Sequence, residues 1–356
     1  MARCGCYRFS PVFSRREMLR QSAVGFGWLA AADLLSKRRS TAAASSGPTS
    51  GTHSLQTRAS QFSPRAKRVI FLFMHGGPSQ VDTFDYKPLL ARDHGKPLPF
   101  PKPRVFSSKT GNLLKSPWTF RQYGQSGAWV SDLFPQVAQH VDDMCIIRSM
   151  HCSNPRHGGA VLEWHTGSDT FIRPSMGSWL GYGLGSQNSN LPAFVVMHGK
   201  KPRGGDPIWS SGFLPSVYQA TALDPRGKKP IKNLERLGEL TGEQQRSLLD
   251  TLRTANARHA RRRPFDGDLN ARLESFELAY RMQTAAPEAF DLAQEPQHIQ
   301  EMYGLNRDES KDYARQCIIA RRLVERGVRF VQIFASCPNA PGGAVSDVPW
   351  DGHSDI

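Results

Sequence analysis

Four short stretches of this 356-residue chain gather the side chains that bind metals or move protons. They are HGGPSQVDTFD (75–85), HCSNPRHGG (151–159), HGKKPRGGD (198–206) and ASCPNAPGGAVSDVPWDGHSD (335–355). In the first, His75 with Asp82 or Asp85 offers imidazole and carboxylate donors suited to a divalent metal. The same His-Gly-Gly turn would also suit the oxyanion hole of a serine esterase, with Ser79 as nucleophile. That chemistry needs a GxSxG elbow, and none occurs: Ser79 sits in GPSQV and Ser178 in GSWLG. A Gly-Pro turn capped by a Ser or Asp is the plainer alternative.

The second stretch leads into GGAVLEWHTG, a helix expected from about Gly158 to His165 and stopped by Gly167. His157 then lies at the amino end, where the helix field and unpaired N–H groups favour an anion such as a sulfate or phosphate ester. In the plain reading His157 caps the helix and His165 packs on its side. The last stretch carries Trp350, Asp351, His353 and Asp355, residues of the kind a metal or catalytic site uses.

These loops need a scaffold, and the apolar pattern supplies one. VIFLFM (69–74), CIIRSM (145–150), LPAFVVM (191–197) and VRFVQIF (328–334) are short apolar runs, as in strands buried on both faces. LFPQVAQHVDDM (133–144), GSWLGYGLG (177–185) and YARQCIIARRLVERG (313–327) have helical periodicity, as does most of 234–286. The basic stretches in 199–233 are expected to be surface loops. Strands alternating with helices predict an α/β fold, a mostly parallel sheet flanked by helices on both faces. In such sheets chemistry collects past the carboxyl ends of the strands, where the four stretches fall.

The amino end reads as an address. SRREMLR (14–20), the mild apolar run AVGFGWLAAADLL and Ala42-Ala43-Ala44 match a twin-arginine export signal over residues 1–44. The apolar run is too short, and with Asp33 too polar, for a membrane-spanning helix. Export machinery is thus an expected partner, and the periplasm or cell envelope the expected compartment. Residues 45–66 have linker composition. The formal charge of +15 raises nucleic acid as a partner, but +6 of it lies in residues 1–44, so no nucleic acid is expected. Cys145, Cys152, Cys317 and Cys337 remain in the mature part; three pairings are possible, as are buried free thiols.

The chain from 67 to 356 resembles the secreted, sulfatase-like family called domain of unknown function 1501. The resemblance rests on MHGGPSQVDTFDYKP, the H-x-x-A…TG helix, ARLESFELAYRMQTAAPEAFDLAQEP, YGL and ARQCIIARRLVERGVRFVQIF. It implies an alkaline-phosphatase-like core with 234–286 as a helical insertion. It also implies a divalent metal (Zn, Ca, Mg or Mn) held by His75, Asp82, His157, Asp351 and His353. The superfamily's nucleophile position falls on His157, where Ser, Thr or a modified Cys is usual, so metal-bound water or Ser79 is the expected nucleophile. Family members continue past a Trp-Asp-x-His segment like 350–353, so the chain is expected to be an amino-terminal portion with an incomplete site. The function expected is hydrolysis of sulfate or phosphate esters, small-molecule or polysaccharide. The alternative is an inactive secreted protein that binds an acidic glycan or envelope component.

Overall fold

A computed structural model describes residues 55–102, 110–227, 230–232, 234–236, 238, 240–261, 267–335 and 350–351. The expected export signal (1–44), residues 45–54 of the expected linker, Cys337, His353 and Asp355 lie outside the described residues.

The strands are β1 (Val69–Phe73), β2 (Phe120–Tyr123), β3 (Ala128–Ser131), β4 (Phe194–Met197), β5 (Thr221–Leu223) and β6 (Phe330–Phe334). The helices are α1 (Pro88–Arg92), α2 (His157–Thr166), α3 (Met176–Leu184), α4 (Gly242–Arg261), α5 (Gly267–Phe290), α6 (Gln297–Tyr303) and α7 (Lys311–Glu325). Four strands form one sheet in the order β1-β6-β4-β5, and all its pairs are parallel. β2 and β3 form a separate antiparallel hairpin.

Strand alternation decides which side chain meets which layer. Phe194 and Val196 of β4 and Phe330 and Phe334 of β6 share one face, packed by Val161 of α2, Leu180 of α3, Ile208 and Trp209. Val195, Met197, Val331 and Ile333 share the other, packed by Ile318, Ile319 and Leu323 of α7 and Leu278, Met282, Ala286 and Ala289 of α5. Because both faces are covered, β4 and β6 are buried along their whole length. The sheet is thus of the expected α/β kind.

Its membership differs from expectation. CIIRSM (145–150) forms no strand; Ile147 and Met150 are exposed, and Arg148 turns toward Asp85 at 4.0 Å. The fourth strand is instead β5, only three residues long and set within the stretch expected to be surface loop. The expected helix at 133–144 narrows to a 3-10 segment, Val137–Asp143. Its Asp142 accepts hydrogen bonds from the backbone of Gln125 and Ser126 (2.8 Å each) and so holds the β2–β3 turn. Those bonds keep the Asp142 carboxyl below its usual range. Among the described residues no helix is long and apolar enough to cross a membrane.

Candidate functional site

The site is built where β1 ends. After Phe73 the chain turns sharply, with the Gly77 amide donating to the Met74 carbonyl (3.2 Å). Gly76 has φ +118°, and a Cβ there would stand 2.4 Å from the Asp351 nitrogen. Only glycine fits, because both the backbone angle and the approach of 350–351 exclude a side chain. That approach is fixed by the Trp350 amide, which donates to the His75 carbonyl (3.0 Å), and by the Trp350 ring stacked on Phe134 at 6.2 Å.

From the other side comes the first turn of α2. The loop before it is folded back on the helix by Glu163, whose carboxylate accepts from Ser153 N (2.9 Å) and Asn154 N (3.3 Å). Asn154 in turn accepts from the Arg156 amide (2.9 Å) and donates to Asp169 (3.1 Å), which lowers the Asp169 pKa. No side chain caps the helix start, and Gly167 ends it in the left-handed conformation. His157, the first helical residue, meets Asp351: Nε2 and Oδ2 are 2.9 Å apart. An ionised carboxylate only accepts, so Nε2 is the donor in this contact, and in the neutral ring Nδ1 keeps a lone pair. Both side chains keep solvent access, at 31% and 23%.

Beneath this pair lie two buried histidines. His75 is 1% exposed and sits between the Phe73 and Phe334 rings, each 6.1 Å away. His165 donates from Nδ1 to the Val161 carbonyl (2.7 Å) and packs on Phe73 at 4.6 Å. Its Nε2 is buried with no partner among the described residues. Burial pushes the His165 pKa down to about 4, so at neutral pH it is an uncharged ring. The sequence predicts side packing for His165; Val161, one turn earlier on the same helix face, marks that face as buried.

The structure thus brings His75, His157 and Asp351 to one end of the sheet. Ser79 and Asp82 lie on the neighbouring 3-10 turn (Gln80–Asp82). There Ser79 is exposed, and its carbonyl accepts from the Asp82 amide (3.2 Å) and the Thr83 hydroxyl (3.1 Å). Asp85 is buried and paired with Lys87 at 2.8 Å. Among the described residues no three His, Cys, Asp or Glu side chains converge as a metal would need. The 198–206 loop makes its own cluster past β4: His198 stacks on Trp209 at 5.2 Å, and Lys201 pairs with Asp206 at 2.7 Å. Cys145, Cys152 and Cys317 are free thiols. Beside His157 opens a cavity of about 480 Å³ between β1, the 150–152 loop and α2.

No curated protein and no solved structure matches the chain. One family model does, that of "Protein of unknown function (DUF1501)", over residues 66–356, which includes β1, α2, β6 and both members of the His157–Asp351 pair. A match over that much of the sequence settles membership: the chain belongs to the DUF1501 family.

Proposed function

We propose that this protein is an exported hydrolase of sulfate or phosphate monoesters, built on an alkaline-phosphatase-like core. The observation that carries the reading is the His157–Asp351 pair, 2.9 Å apart at the uncapped start of α2. A helix start of this kind offers backbone N–H groups and a partial positive charge to an ester's anionic oxygens.

The pair supplies the proton chemistry. Asp351 orients the imidazole and stabilises its charged form; His157 Nδ1 removes a proton from water as the water oxygen attacks phosphorus or sulfur. The bond to the ester oxygen breaks, and the same proton passes from His157 to that leaving oxygen. Water is favoured over Ser79 as nucleophile because no base contacts the Ser79 hydroxyl among the described bonds. A divalent ion would polarise the ester, with His157 and Asp351 as chemically suitable ligands. The described residues alone do not complete such a site.

The test is turnover of p-nitrophenyl phosphate and sulfate by the full chain, with divalent metals added singly. Replacing His157 by Ala, or Asp351 by Asn, should lower kcat/KM by about 10²–10⁴. Equal turnover by the variants, or none by the parent under any metal, removes the reading. The second reading, binding of an acidic glycan without turnover, draws on the formal +9 that remains of +15 once the +6 of residues 1–44 is set aside. It expects binding to sulfated polysaccharide that weakens as salt rises.

A further inference from the structure

The cavity beside His157 has a chemical character that the proposed reaction does not use. Its walls are Phe71, Phe73 and Met74 of β1 and the residue after it, Met150 from the loop before α2, and Val161 and Trp164 from α2. Among the described residues, side-chain hydrogen-bonding groups enter only from His151, Cys152, Trp164 and His157. Cys152 is already turned to the Ala160 carbonyl (3.7 Å), and burial, then the nearby Glu163 charge, raise its pKa, so it offers a neutral thiol rather than a thiolate. The volume, about 480 Å³, is that of a small-molecule pocket rather than a packing defect.

A sugar placed there would lose water from several hydroxyls and find few partners in return. An aryl or branched alkyl group would lose water only from apolar surface, and each buried methylene raises affinity roughly fourfold. The cavity is continuous with the reacting pair, because His157 belongs to both. It therefore lies where the group on the far side of an ester oxygen would extend if the anionic end sat at the start of α2.

We infer that this cavity holds the non-anionic part of the substrate, and that the substrate class is a monoester of a bulky apolar alcohol or phenol rather than of a carbohydrate. The inference rests on the hydrolase reading for its orientation but not for its binding. The occupant of the cavity is the apolar group itself.

Binding and turnover separate the two ideas. The full chain is titrated calorimetrically with 2-naphthyl phosphate, 2-naphthyl sulfate, methyl phosphate and glucose 6-phosphate, and turnover of each is followed by product release. The naphthyl esters should bind at least tenfold more tightly than the methyl and glucose esters. Ala160→Trp, which fills the cavity from α2, should cut the naphthyl-over-methyl preference below threefold. Met150→Gln, at an exposed wall position that tolerates change, should lower it as well even if the tryptophan variant does not fold. A naphthyl preference without turnover supports the cavity assignment and removes the hydrolase. Turnover of all four esters with equal kcat/KM keeps the hydrolase and overturns the assignment. Absence of binding by every probe, or a preference unchanged in Met150→Gln, also overturns it.

Discussion

His165 shows how one side chain couples the candidate site to solvent pH. Its ring is 3% exposed among Phe71, Phe73 and Phe334, where burial of a charge is costly. Unfolded, it would protonate near 6.5; folded, it resists until about 4. Between those values the unfolded chain binds the extra proton, so His165 draws stability away as pH falls from 6.5 to 4 and has no effect above 6.5. The full loss is roughly 3 kcal/mol. Denaturant unfolding at pH 7.5, 5.5 and 4.5 checks this: His165→Leu should match the parent at 7.5 and lose less stability at acid pH. A lone histidine looks the same on a wet or dry helix face, so the depth of His165 is legible only through Val161, one turn earlier on that face. The place of His157 was legible, since the helix expected from about Gly158 to His165 leaves it at the amino end. His75 was legible as the residue on which a continuous apolar run ends.

Elements depend on contacts that their own sequence does not announce. The carboxyl end of α5 is capped from another helix: Arg322 of α7 donates to the carbonyls of Ala289 (3.1 Å) and Glu288 (2.7 Å) and pairs with buried Glu295. The periodicity of α7 predicts its apolar stripe but gives no sign that an arginine lies on it, 5% exposed. Replacing Arg322 by Met would leave Glu295 buried with Arg321 as its remaining charge partner and would uncap α5. The expected cost is about 3–5 kcal/mol in chemical unfolding; a loss under 1 kcal/mol would show that the pair breaks even against an apolar side chain. The strands teach a related lesson. CIIRSM is mostly apolar yet stays outside the sheet, while β5 enters with three residues because β4 is there to pair with it. Apolar runs identify segments that are able to join a sheet; the order of neighbours decides which do.

At the scale of the whole molecule, the layered α/β arrangement was legible because alternating strands and helices leave few other ways to bury both faces. The sheet order was not, since β6, late in sequence, lies between β1 and β4. Among the described residues that order leaves β1 at an edge, with Val69, Ile70 and Leu72 exposed. An apolar edge strand without an inward charge or proline invites pairing with another chain. Ile70→Lys should therefore reduce concentration-dependent light scattering while shifting unfolding stability by no more than about 0.5 kcal/mol; unchanged scattering would show that the edge is already protected. The same topology sets a clock. His157 and Asp351 are 194 residues apart in the chain. At synthesis rates of roughly 5–20 residues per second, the ribosome delivers the carboxylate about 10–40 s after the imidazole. Through most of that interval β1 lacks its partner strand as well, because β6 is also still to come. The chemistry proposed for the pair therefore waits on translation of the second member.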